Sequence, residues 1–266
     1  MSGPVAVVTD STASLSAEVA QRHGITVVPL QVVVGARSFD EGVPGGATPG
    51  TVADALAHWT PVSTSRPSPA SLRSAYETAA AGGAGHVVSI HLSAEVSGTV
   101  ESAQIAAREA PVPVTVVDSR QLGMATGFAV LSAARAAAEG ADAAEVAGVA
   151  RDRAARTTSL FYVDTLEYLR RGGRIGPAAA LLGSALSVKP LLRIDDGRIG
   201  PLEKVRTASR ALSRLEELAV AAAGEAAVDV AVAHLANEER AGVLAEHLAD
   251  RLGANLDGRQ VVLGEV

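Results

Sequence analysis

Short apolar runs recur along the chain, and most are followed by hydroxyl-bearing or acidic residues and then by a stretch with helical spacing. Residues 5–9 read as a buried strand, 10–14 as a polar loop and 15–23 as a helix closed by Gly24. A second strand follows at 25–30, and 31–39 reads as a hairpin turning at Gly35-Ala36. Gly45, Gly46, Pro49 and Gly50 mark a loop before a helix at 51–58. Pro67 and Pro69 exclude regular helix and favour extended geometry in the residues before them. Ser68-Pro69 then opens a helix running to Ala80. The same alternation returns at 86–92 (strand), 93–99 (polar loop) and 100–107 (helix), and again at 114–119 with helices at 122–140 and 144–157.

After a strand-like run at 159–163 the character changes. A short helix at 166–171 stops at Gly172-Gly173, and Arg174-Ile175-Gly176-Pro177 introduces an apolar helix to about Leu186. Residues 188–194 and 199–206 flank the tight turn 195–198 as an antiparallel hairpin. A helix at 207–223, a strand at 228–234, a helix at 238–252 and the apolar run 261–263 complete the chain. This pattern predicts an α/β protein of two domains. Residues 1–157 form a parallel-sheet α/β/α domain with a hairpin insertion near 31–45, and 158–266 a mixed-sheet α+β domain.

Composition narrows the chemistry. A formal charge of -6 gives no basic footprint for nucleic acid. The absence of cysteine excludes disulfides, thiol catalysis and cysteine-ligated metal. The N-terminal stretch lacks the pattern of a signal peptide, and the apolar region 218–236 is interrupted by Glu225, Asp229 and His234, so a cytoplasmic protein without membrane insertion is expected. Neither a phosphate-binding P-loop nor a dinucleotide fingerprint, a zinc-protease HExxH motif, an EF-hand loop or a GxSxG elbow is present. No cofactor and no metal site are expected. The six histidines are scattered without a metal-binding pair.

Hydroxyl-rich segments at 10–12, 63–65 and 97–99 each follow a strand-like run. In an open parallel sheet such loops gather at the carboxyl ends of the strands, where ligands bind, and helix N-termini there attract anions. Ser97-Gly98-Thr99 is the leading anion seat; as ordinary structure, Ser97 is a helix cap with Glu101 in the first turn. Two other functions fit parts of the pattern. One is a hydrolase pairing Ser97 or Ser93 with His91 or His234, and the other is a binding module for a small phosphorylated ligand.

Taken together, Thr9-Asp10-Ser11-Thr12, Thr64-Ser65-Arg66-Pro67-Ser68, Val96-Ser97-Gly98-Thr99, the segment from Tyr168 through Gly172-Gly173-Arg174-Ile175, and Lys204-Val205-Arg206-Thr207 resemble the DegV family, in order and over residues 5 to about 263. The resemblance implies the lipid-carrying subunit of a bacterial fatty acid kinase. Such a subunit buries a long-chain fatty acid in a tunnel between its domains and presents the carboxylate to a separate kinase, which makes an acyl-phosphate. On this likeness Thr64 and Ser97 hold the carboxylate, with Ser65, Gly98 and Thr99 beside them. Arg174 and Arg206 lie at the entrance and engage the kinase. The tunnel wall falls to residues 178–186 with Phe161 and the alanine-rich helices of the first domain. Arg66 stands where the family commonly has Gln, and Val96 where it has Leu. The family's closing strand, with a histidine before Gly-Pro-Gly, is not found after Val266, so the second domain is expected to lack that strand and its head-group contact.

Overall fold

The computed structural model describes residues 3–181 and 188–265. The chain folds as two compact units, Met1–Thr157 and Thr158–Val266.

The first unit opens with β1 (Val5–Asp10), a single 3-10 turn at Ser11–Ala13, α1 (Ala17–Arg22) and β2 (Ile25–Val28). A hairpin of β3 (Gln31–Val34) and β4 (Arg37–Asp40) leads to α2 (Pro49–Ala57) and β5 (Val62–Ser65). Next come α3 (Pro69–Ala81), β6 (His86–His91), α4 (Thr99–Ala107), β7 (Val114–Asp118), α5 (Met124–Ala138) and α6 (Ala143–Ala155).

Strands β2, β1, β6 and β7 form an all-parallel sheet in that order. Side chains of a strand alternate between its faces, so successive residues are sorted to opposite layers. Val7, Val88, Ile90 and Val117 pack with Val130 and Ala133 of α5 and Val146 and Ala150 of α6. Val8 and Val87 pack on the other face with Leu72 and Tyr76 of α3 and Ala103 and Ala106 of α4. Burial on both faces explains the successive apolar positions Val7-Val8 in β1 and Val87-Val88 in β6. The hairpin strands join β5 in a separate antiparallel sheet, ordered β4-β3-β5, with Val32 opposite Thr64 and Gln31 opposite Ser65. Pro69 sits in the first turn of α3, where its missing N–H is harmless, and Ser68 caps that helix by accepting from the Ser71 amide.

The second unit contains β8 (Leu160–Tyr162), α7 (Glu167–Arg171), a 3-10 helix at Gly176–Leu181, β9 (Lys189–Asp195) and β10 (Arg198–Val205). It continues with α8 (Ala208–Ala223), β11 (Ala231–His234), α9 (Glu238–Arg251), α10 (Gly253–Leu256) and β12 (Val262–Glu265). Strands β10, β9 and β8 make an antiparallel sheet, while β11 and β12 pair in parallel. The β9–β10 turn places Asp196 at φ 49° and Gly197 at φ 81°, the left-handed pair that a two-residue hairpin matching strand twist requires.

Two elements differ from the sequence reading. The strand expected at 228–234 begins only at Ala231, because Val228 turns its backbone to Asn255 O and Arg259 Nη1 instead of a ladder. The expected apolar helix after Pro177 is a 3-10 helix over Gly176–Leu181, entered through Gly176 at φ 49°. The rest of the proposed tunnel wall, residues 182–186, lies outside the described residues. No helix among the described residues is long and apolar enough to cross a membrane.

Candidate carboxylate seat

Strand order determines where a ligand can approach the parallel sheet. From β1 the chain moves outward through α1 to β2, and it later returns to lay β6 on the opposite side of β1. The β1–β6 junction is therefore the topological switch point, where the loops leaving the strand ends diverge and open a crevice. The segments leaving that junction are Ser11–Ala13 and the residues from Leu92 to Gly98 that lead into α4.

Parallel register places Thr9 beside Ile90, and the next residues, Asp10 and His91, meet through their side chains. His91 Nδ1 lies 2.8 Å from Asp10 Oδ2, and its Nε2 lies 2.7 Å from Ser89 Oγ. Ser89 Oγ is 2.9 Å from the Tyr76 hydroxyl. All four side chains are fully buried on the α3/α4 face. Asp10 Oδ2 also accepts from the Leu92 amide at 3.2 Å, and Oδ1 accepts from the Thr12 amide at 3.1 Å and from the Thr12 hydroxyl. One carboxylate thus ties both loops of the switch point.

The phenol of Tyr76 is pushed up to about 12 by burial, with the Ser89 hydrogen bond opposing the shift in part. A folded-state value above the ordinary 10.0 means this contribution is intact below pH 10 and is lost as pH rises through 12. Over that window the wild-type chain should lose on the order of 2–3 kcal/mol more than Tyr76→Phe, measured by urea unfolding between pH 9 and 12. Parallel curves for the two proteins would contradict this.

Ser11 anchors the hairpin insertion to the same junction. Its hydroxyl donates to Glu41 Oε2 at 2.5 Å and accepts from the Leu30 amide at 2.9 Å. Burial raises the Glu41 carboxyl above its ordinary value; the Ser11 bond opposes this, and the charge of Asp10 adds to it.

The hydroxyl seat lies at the entry to α4. Gly98 is the N-cap, and no side chain caps the helix there. Ser97 Oγ lies 2.9 Å from Thr99 Oγ1 and accepts from the Thr99 amide at 3.3 Å, so Ser97 shapes the turn without being the cap that the sequence suggested. Ser97 and Gly98 are half-buried, and Thr99 is fully buried. Thr64 and Ser65 are exposed on β5.

Arg66 joins these two segments. Its Nη1 donates to Gly98 O at 3.1 Å and pairs with Glu101 Oε2 at 2.5 Å. A Cβ at position 98 would stand 2.1 Å from that nitrogen, so glycine leaves the space through which the guanidinium passes. In the sequence Arg66 is visible only as a departure from the family pattern, and Tyr76 and Ser89 carry no signal of a site. The signal available for the buried pair was an acid and a histidine each ending an apolar strand.

His91 is not paired with Ser93 or Ser97, the hydrolase arrangement raised from the sequence. Both ring nitrogens are engaged, by Asp10 and Ser89, and Ser89 is fully buried. His234, in the second unit, accepts from the Asn237 amide at Nδ1. The ≈ 440 Å³ concavity beside it is lined partly by Glu238 and Glu265, which disfavour an anion. Among the described residues no group of three His, Cys, Asp or Glu side chains could hold a metal ion.

Arg174 follows α7 and donates to Gly172 O. Arg206 is exposed just after β10. Glu203, its simplest ion-pair partner, is instead held by two nitrogens of Arg214, each at 2.8 Å.

The DegV family model matches residues 4–266. A DegV domain-containing protein of Streptomyces coelicolor is 56% identical over 252 residues, spanning 95% of this chain and 89% of its own. Among solved structures, a fatty-acid-binding DegV family protein from Thermus thermophilus is similar with a TM-score of 0.87 and 30% identity, over 98% of this chain and 92% of its own. DegV of Bacillus subtilis, described as a fatty acid binding protein, is similar with a TM-score of 0.85 and 32% identity, over 99% and 92%.

Proposed function

We propose, from the premise that this chain belongs to the DegV family, that it binds a long-chain fatty acid and presents the carboxylate to a separate ATP-dependent kinase. The observation that carries this reading is the hydroxyl seat at the switch point, with Ser97 and Thr99 at the uncapped start of α4 and Arg66 tying in the segment that bears Thr64 and Ser65. Fatty-acid binding by the Thermus and Bacillus relatives supports it.

In this reading Thr64 and Ser97 donate to the carboxylate, while Ser65, Gly98 and Thr99 complete the wall. Hydroxyl donors contribute roughly 0.5–1.5 kcal/mol each, more toward a charged acceptor, and leave the oxygen nucleophilic where a buried guanidinium would neutralise it. A carboxylate oxygen attacks the γ-phosphorus of ATP, the bond to the bridging oxygen breaks, and ADP leaves with the electron pair. The kinase supplies the nucleotide site. The tail supplies affinity: about fourteen methylenes at ~0.8 kcal/mol each give roughly 11 kcal/mol before ordering, which requires a long apolar tunnel.

Arg174 and Arg206 are assigned to the entrance and to engagement of the kinase. Arg206→Ala should leave fatty-acid content unchanged, slow kinase-coupled turnover several-fold and flatten its salt dependence, since a rim charge acts chiefly on encounter. Turnover equal to wild type from low to high salt would remove the assignment.

The test of the whole reading uses a bacterial fatty acid kinase, ATP, palmitate and hydroxylamine. Palmitoyl hydroxamate, the trapped acyl-phosphate, should form only when this chain is present. Equal hydroxamate without the chain, or none with palmitate-loaded chain, would overturn it.

A further inference from the structure

We infer that Asp10 and His91 are positioning residues for the seat: the buried pair sets the course of the segment from Leu92 to Thr99 and thereby the direction in which Ser97 faces a carboxylate. The inference rests on the proposed function for its ligand, but its structural half stands on the bonding pattern alone.

With a neutral His91 ring, that pattern has a single polarity. The Asp10 carboxylate can only accept, so His91 Nδ1 carries the proton in their 2.8 Å bond. With a neutral ring, Nε2 accepts from Ser89, which leaves the Ser89 oxygen to accept from the Tyr76 hydroxyl. Every proton in the chain then has an acceptor. In the opposite polarity Nε2 donates to Ser89, Ser89 donates to Tyr76, and the buried phenolic proton loses the acceptor it has at Ser89. Asp10 Oδ2 also accepts from the Leu92 amide, so the carboxylate that holds the His91 ring also anchors the first residue after β6. The next turn is short and bonded to itself. Ser93 O accepts from the amides of Val96 and Ser97, both at 3.2 Å, so the orientation set at Leu92 carries through to the seat. The Thr12 bonds to Oδ1 fix the facing loop by the same carboxylate.

Asparagine and glutamine at position 91 separate positioning from packing. The amide nitrogen of His91→Asn falls near the place of Nδ1 and can still donate to Asp10. The amide of His91→Gln falls near Nε2, keeps Ser89 and loses Asp10. Asp10→Asn replaces an acceptor with a donor facing His91 Nδ1–H or the Leu92 amide.

The three variants and wild type are loaded with [1-¹³C]palmitate, and the carboxyl ¹³C resonance is recorded alongside amide hydrogen exchange of residues 11–13 and 92–99. Wild type and His91→Asn should share one sharp carboxyl resonance displaced from that of palmitate in vesicles. In His91→Gln and Asp10→Asn it should broaden and move toward the vesicle position, with palmitate content unchanged and exchange over 92–99 faster by about tenfold or more. Should Asp10→Asn fail to fold, the two His91 variants decide alone. If His91→Asn and His91→Gln behave alike in both readouts, the inference is overturned. If wild type takes up no palmitate, the proposed function fails, and the exchange rates of the His91 pair still decide whether Asp10 sets the segment.

Discussion

Replacing both Thr64 and Ser97 with alanine should lower kinase-coupled palmitate phosphorylation by on the order of a hundredfold or more while palmitate content stays near that of wild type. Hydrogen bonds to a charged group contribute about 1.5–3 kcal/mol each, and in the proposed function the two hydroxyls act on the head, where the reacting oxygen is held. The tail's burial, several times larger, is untouched by either change. Single variants should fall between, and melting temperatures should move little, because Thr64 is exposed and Ser97 half-buried. Loss of lipid in proportion to loss of turnover would show that head and tail are not divided in this way.

A second large effect is expected in the core of the first unit. Leu72 is fully buried in the cluster that holds Val8, Val87 and Tyr76 against α3 and α4. Leu72→Ala should destabilise by roughly 2–5 kcal/mol, through lost transfer energy and the cavity left under the sheet. For a unit of this size that corresponds to a fall in Tm of about 5–15 °C. Val149→Ala, on the exposed side of α6 at 37% exposure, should change it by no more than a degree or two. Calorimetry on the two variants checks this, and equal shifts would mean the α3 layer does not carry the stability assigned to it.

The parts of the fold that could be read in the sequence are those whose cause is local. Strands buried on both faces place apolar residues at successive positions, as Val7-Val8 in β1 and Val87-Val88 in β6 do. The β9–β10 hairpin announces itself through Asp196-Gly197, and α3 through Ser68-Pro69. What escaped depends on which strands become neighbours. Asp10 and His91 are 81 positions apart, and nothing near either residue says that β6 lies beside β1. Arg66 reaches Glu101 across 35 positions, so a residue noted only as a substitution became the staple between two loops. Gly98 could be taken for part of a helix start, but its role as a passage for that guanidinium is visible only in three dimensions. The 3-10 geometry after Pro177 was hidden because an apolar run alone does not distinguish it from an α-helix.

The fatty-acid reading rests on the resemblance of the whole motif set, whereas the hydroxyls near strand ends point by themselves only to an anion seat or a helix cap. Their ordinary structural role was also partly realised: Ser97 does bond the amide of Thr99 at the entry to α4. Both uses are compatible when Thr99 donates in the bond between the two hydroxyls, since Ser97 Oγ then accepts from Thr99 and keeps its own proton to donate outward.

Whether this chain carries a long-chain fatty acid is decided by denaturing protein purified from a bacterial host in organic solvent and analysing the extract by mass spectrometry. The extract should contain long-chain fatty acid in near-stoichiometric amount, exchangeable for added palmitate. An extract empty of fatty acid, from protein that remains empty after incubation with excess palmitate, would contradict the proposed function.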